Sequence, residues 1–183
     1  DSNSNTYPEA AKEIKKQMSD GSLVMNYTGH AAAYGFSHEF VLLREDFENN
    51  KSKKLPLWAT FACDVMPFDS NVSNIGEAAV LNPKGGAVAF YGTTRTVYAS
   101  QNFNMNQYFM QYLFANDTNN RRNRIGDAIR LAKSSIISDG REASFLENKL
   151  QYALLGDPAL ILVNPLQKIV VDSINGKEVN GQS

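Results

Sequence analysis

The chain has 183 residues, 43% of them apolar, enough to bury one sizeable core with appendages around it. A formal net charge of -1 gives no electrostatic footprint for nucleic acid, and no apolar run approaches the roughly eighteen residues of a membrane span. One cysteine and two histidines exclude an internal disulfide and a cysteine-rich zinc site; no carboxylate pattern completes a metal site, and no cofactor is expected.

From the N-terminus, Asp1-Ser2-Asn3-Ser4-Asn5 lacks the apolar stretch of a signal peptide. With no initiator Met, the chain reads as a piece of a longer protein. Residues 7–20 predict a helix, with Pro8 in its first turn and Ala11, Ile14 and Met18 on one face. Gly21 ends it. Residues 23–28 form a short apolar strand that stops at Gly29-His30. A crossover of about 25 residues follows, with a helix expected near 43–48 and a polar stretch over 49–54. The next buried strand spans 55–62 and ends at Cys63. Asn74 with Glu77 three residues on has the spacing of a capping box and opens a helix. That helix is closed by Pro83 and Gly85-Gly86, and residues 87–91 form a third buried strand.

Residues 103–115 read as a helix with an aromatic stripe (Phe103, Tyr108, Phe109, Tyr112, Phe114) that suits core packing. Arg121, Arg122, Arg124, Arg130 and Lys133 suit a solvated loop and helix face. Helices are predicted over 125–138 and 142–152. Leu155-Gly156-Asp157-Pro158 is a turn, with Asp157 as turn former, into a fourth strand over 159–163. Continuous apolar strands alternating with helices indicate an α/β fold, a mostly parallel sheet covered on both faces. Residues 164–183, with an Asn175-Gly176 hairpin signal, read as a linker and the start of an appended β (Ig-like) domain.

His30 and Cys63 directly follow successive apolar strands, one strand–helix–strand crossover apart. Ligands of an open parallel sheet bind beyond the carboxyl ends of its strands, and neighbouring strands lie about 4.8 Å apart. Topology thus brings the one thiol and one of the two imidazoles to the same rim. A thiol with its ordinary pKa near 8.5 is mostly protonated at neutral pH, and a nearby imidazole favours the reactive thiolate. The imidazole would then return a proton to a leaving amine. The N–H groups of Ala31 and Cys63 are candidate oxyanion donors. His38 is expected to be a surface or packing residue, Asp64 to point away from the site and cap a turn, and Glu77 to cap a helix.

The strings LVMNYTGH and LPLWATFAC resemble the strand–His and strand–Cys blocks of caspase-like peptidases. Together with ATFACD, SNIGEAAVLNPKGGAVAFYGTTRTVY and YALLGDPAL, they are more closely similar to the gingipain family of cysteine peptidases. Within it, they most resemble the branch of the type IX secretion sortase PorU. The resemblance covers roughly residues 20–163. It implies a caspase-like three-layer sandwich cleaving peptide bonds through a thioester acyl-enzyme, with Cys63 as nucleophile and His30 as acid/base. It also implies substrate contacts from Thr93, Thr94 and Tyr98, a protein or peptide substrate, and an extracytoplasmic location. Residues 1–163 would then be the C-terminal part of the catalytic domain. The acid that orients the histidine is expected from an upstream segment, and the first strands from that segment or a neighbouring chain. The family usually has Gly where this chain has Ala31, and a Cβ there narrows both backbone freedom and substrate space. Two functional classes stay open: an active peptidase or sortase, and a catalytically silent surface module that keeps the fold. A nucleotide-binding reading fails because Gly85-Gly86 lies after a helix and before a strand, the reverse of a phosphate loop.

Overall fold

In the computed structural model, which describes residues 7–138, 148–162, 173–174 and 177–178, the first predicted helix is α1 (Pro8–Asp20). It leads into β1 (Val24–Thr28). The crossover holds a small sheet besides its helix: β2 (Ala31–Ala32), β3 (Gly35–Phe36) and β4 (Leu42–Leu43) pair antiparallel before α2 (Arg44–Glu48). The central strand β5 (Leu57–Phe61) is buried along its whole length. At α3 (Ile75–Leu81), Asn74 accepts from the Glu77 N–H at 2.9 Å and its amide donates to the Glu77 carboxylate at 2.7 Å. This is the capping role the spacing predicts.

The third strand, β6 (Ala89–Thr93), runs two residues past the predicted end. Gly92 inside it has no room for a side chain, because a Cβ would lie 2.4 Å from Thr60 Oγ1. Two long helices follow, α4 (Ala99–Phe114) and α5 (Ile125–Ser138). The fourth strand corrects the sequence expectation: β7 is Tyr152–Leu155, and of the expected 159–163 the described residues 159–162 make only an isolated bridge, Ile161 with Arg124. The 158–160 segment instead caps α5, its Pro158 and Leu160 carbonyls accepting from the Gly126 and Ile125 N–H groups at 2.9 Å. Those donors have no partner inside the helix. Of the helix expected over 142–152, residues 142–147 lie outside the described residues, 148–150 are helical and Tyr152 already belongs to β7. Further on, β8 (Ser173–Ile174) pairs antiparallel with β9 (Lys177–Glu178).

The main sheet has the order β1-β5-β6-β7, parallel across its first two pairs and antiparallel at β6–β7. Period-two alternation splits its side chains between two cores. Leu57, Ala59, Phe61, Ala89 and Tyr91 pack on one face with Met105, Phe109 and Leu113 of α4 and Ile125, Ala128 and Ala132 of α5. Trp58 and Phe90 pack on the other with Met18, Phe47, Ile75 and Ala79 from α1, α2 and α3. The result is a three-layer α/β sandwich with a mostly parallel sheet. Among the described residues, no helix is long and apolar enough to cross a membrane.

Candidate active site

At the carboxyl ends of β1 and β5, Thr28 lies opposite Phe61, and the Gly29 N–H still reaches the Phe61 carbonyl at 3.4 Å. Carried two residues further, that register sets His30 beside Cys63. Both side chains line one cleft of about 150 Å³, together with Thr28, Val97, Ala99 and Asn102. His30 is exposed and Cys63 half-buried, so the thiol is neither walled into the core nor fully in solvent. Its S–H donates to the Val97 carbonyl at 3.4 Å.

His30 is braced from the crossover. Its carbonyl accepts from the Tyr27 hydroxyl and from the Ser37 N–H, each at 2.7 Å, and Tyr27 stacks on Phe36 at 4.4 Å. Burial pushes the Tyr27 phenol above its ordinary pKa, which keeps it a donor. The exposed His38 packs its ring against that of His30, centroids 4.8 Å apart and tilted by 41°. Next to it, the Glu39 carboxyl is held below its usual range by its own N–H and the Ser37 hydroxyl, with His38 and His30 adding to the effect.

Ala31 pairs with Phe36. The bond from the Ser37 N–H to the His30 carbonyl makes this a pair whose own N–H and C=O groups face away from the partner strand. Its N–H is thereby turned outward, and Ala31 is not among the residues at positive φ, so its Cβ strains nothing. The Asp64 N–H goes to the Arg95 carbonyl at 3.2 Å and that of Met66 to Thr93 at 3.0 Å. The Cys63 N–H has no backbone partner among the described residues. The Asp64 carboxylate accepts from the Thr96 hydroxyl at 2.9 Å and is not part of the cleft lining.

The three expected substrate contacts fare differently. Thr93 is fully buried and its hydroxyl donates to the Ala62 carbonyl, so it braces the chain next to the thiol instead of facing the cleft. The half-buried Thr94 is pinned to the Gln151 carbonyl by its N–H at 2.8 Å and its hydroxyl at 3.1 Å. Tyr98 is 61% exposed at the start of α4, next in sequence to the lining residues Val97 and Ala99.

Val97 and Asn102 escaped the sequence reading. Asn102 accepts from the Tyr152 hydroxyl at 2.7 Å and the Asn148 amide at 3.3 Å, and its own amide reaches the Phe61 carbonyl at 3.5 Å. Asn148 in turn accepts from the Tyr98 N–H at 2.7 Å. Burial, then Tyr91 and Cys63, push the Tyr152 phenol far above its ordinary range, so it remains a donor to Asn102. A signal existed in the sequence: Asn102 sits three residues before Met105 and seven before Phe109, on the buried stripe of α4.

Among known proteins, the family model described as Peptidase family C25 matches residues 1–163. No curated protein matches significantly. A complex of Porphyromonas gingivalis RgpB pro- and mature domains is 19% identical, with TM-score 0.74 over 83% of this chain and 37% of that one. The crystal structure of the Arg specific cysteine proteinase gingipain R (RgpB) is 18% identical, with TM-score 0.75 over 86% of this chain and 37% of that one. A structure described simply as a protease is 15% identical, with TM-score 0.72 over 87% and 40% respectively. At such identities the likeness is one of fold, and the chain spans no more than 40% of the length of these proteins.

Proposed function

Since this chain belongs to peptidase family C25, we propose that it carries the nucleophile and the acid/base of a cysteine endopeptidase of the gingipain kind. The observation that carries the reading is the shared cleft of His30 and Cys63 at the ends of adjacent parallel strands. The Cys63 sulfur attacks the peptide carbonyl carbon and gives its proton to His30. The developing oxyanion is met by the N–H groups of Ala31 and Cys63. His30 then protonates the leaving nitrogen as the C–N bond breaks, leaving a thioester on Cys63. Water attacks the thioester, passing its proton through His30, and releases the acid. Thr94 and Tyr98 are the proposed substrate contacts, with Thr93 as their brace. No cofactor takes part in this chemistry. The acid that orients His30 comes from an upstream segment, and further strands of the sheet from that segment or a neighbouring chain. Residues 1–163 then form the C-terminal part of the catalytic domain, and 164–183 a linker and the start of a β domain.

Reactivity of the thiol tests this reading. At pH 6.5, a thiol with its ordinary pKa is only about 1% ionised. Cys63 should react with iodoacetamide at least about tenfold faster than a free thiol, and His30→Ala should remove that advantage. Equal, slow labelling of both proteins would put the silent surface module in place of the peptidase.

The finer assignment, a type IX secretion sortase acting outside the cytoplasm, draws on the likeness of the strings around His30 and Cys63 to that branch. A sortase passes the acyl group to an amine instead of water. Incubating the complete protein with a peptide and an added amine should yield a ligated product by mass, and hydrolysis alone would remove the sortase assignment.

A further inference from the structure

His30 is the wall between two clefts. Cys63 lines the first. The second, also about 150 Å³, lies against Ala32, Tyr34, Gly35, His38 and Phe40. Building on the Cys63–His30 peptidase reading, we propose that this second cleft is the subsite for the substrate residue on the leaving-amine side of the cut, and that it takes a large apolar or aromatic side chain.

Reaction geometry sets the direction. The acyl half of the substrate stays on Cys63, whereas the departing nitrogen is the atom that His30 protonates. The chain on that side must therefore pass the imidazole, and the residue that begins it meets whatever lies beyond the ring. Both clefts share His30, and the second does not contain Cys63.

The lining chooses the side chain. Tyr34 and Phe40 are 56% and 47% exposed, with ring centroids 6.0 Å apart: two large rings left in solvent beside a concave surface. Among the described residues, no Asp, Glu, Lys or Arg lines this cleft; besides the two rings it offers the imidazoles of His30 and His38, flat faces on which an apolar or aromatic side chain can pack. A cavity of about 150 Å³ is large enough for a benzene ring.

The cleft is also built to hold its shape. Phe40 sits at φ 51° and Ser37 at φ 60°, a left-handed conformation that a bulky residue rarely adopts and that clusters at functional sites. The turn is held by bonds from the Val41 N–H to the Phe36 carbonyl (3.1 Å) and from the Phe40 N–H to the Ser37 carbonyl (3.4 Å). The Phe40 ring covers Gly35, where a Cβ would approach its Cδ1 to 3.1 Å. On the opposite side, the Ala33 and Tyr34 carbonyls each accept at 2.9 Å, from the N–H groups of Ile75 and Arg44. Helices α3 and α2 thus anchor the floor.

Peptides identical up to the cut and carrying Phe, Leu or Gly just after it provide the test, using the full-length protein. Burying one such apolar side chain predicts kcat/KM about tenfold higher for Phe or Leu than for Gly. Phe40→Asn suits the left-handed backbone while removing the ring, and should bring the Phe-to-Gly ratio close to one; Phe40→Leu should retain most of it. The same ratio is to be read as Kd on Cys63→Ala, which cannot turn the peptides over. Equal values for Phe and Gly in both assays, or a ratio untouched by Phe40→Asn, overturns the subsite. A wild type that elutes as a dimer while Phe40→Asn elutes as a monomer would seat a second copy of the chain there, and overturns it too. If the wild type cleaves no peptide yet Cys63→Ala still binds the Phe peptide about tenfold more tightly, the peptidase reading falls and the cleft stands as a peptide-binding site.

Discussion

Asp64 holds φ at 50°, a conformation that short polar residues tolerate and β-branched ones resist. Directly after the proposed nucleophile, it makes the turn that carries the chain from β5 into the loop before α3, and it ties that turn to the loop after β6. Its N–H is bound to Arg95 and its carboxylate to Thr96. Asp64→Gly should keep the turn, whereas Asp64→Val should cost about 1–3 kcal/mol and slow iodoacetamide labelling of Cys63. Thermal unfolding of the two variants checks it, and equal melting points would show that the turn carries no strain. At this scale, His30 and Cys63 were legible because each ends an apolar run and a parallel register then does the positioning. Thr93 was expected in a loop, but β6 extends two residues beyond the expected end, which moves its hydroxyl into the sheet. The contact between His38 and His30 was not legible at all, since it depends on how a loop folds back.

Short elements were the least readable. Strands β2, β3 and β4 have two residues each, too few for any periodicity to show, yet they build the second cleft. The apolar runs on either side of Gly156-Asp157-Pro158 both suit a strand, and only the unpaired N–H groups of α5 decide that 158–160 serves as a cap. The loop between β6 and α4 depends on charge. Arg95 binds Asp69 in a two-pronged ion pair at 2.9 and 2.5 Å, and this pairing holds the Asp69 carboxyl below its usual range. A carboxyl whose pKa is depressed by folding stabilises the fold above its unfolded value, near 3.9, and loses that contribution as pH falls through the folded value. Below about pH 4, hydrogen-exchange protection of the Asp64 amide, which is bound to the Arg95 carbonyl, should therefore decline. Asp69→Asn should show weaker protection with no such step. A step of the same size in both proteins would assign it to another group.

For the whole molecule, the alternation of apolar strands and helices sufficed to read a covered, mostly parallel sheet, because burial on both faces leaves a continuous apolar imprint. What joins the layers at the site is polar. Asn102 on α4 binds the Phe61 carbonyl at the end of β5, the Tyr152 hydroxyl of β7 and the Asn148 amide, and Asn148 holds the Tyr98 N–H. Four parts of the chain thus meet at one buried side chain that also lines the Cys63 cleft. Removing it leaves the Tyr152 hydroxyl and the Asn148 amide without this acceptor, each costing about 1–3 kcal/mol, while the Phe61 carbonyl keeps the Gly29 N–H. Asn102→Ala should therefore lower the melting temperature, at about 2–4 °C per kcal/mol for a chain of this size. Tyr152→Phe should cost less, because it removes one donor and leaves Asn102 its other partners. Since the two groups share a hydrogen bond, the double variant should be less destabilised than the sum of the single ones, by about 0.5–3 kcal/mol. Strict additivity would mean that the bond contributes nothing. A cycle that couples in stability while iodoacetamide labelling of Cys63 stays unchanged would confine the network to structure and detach it from the Cys63 thiol.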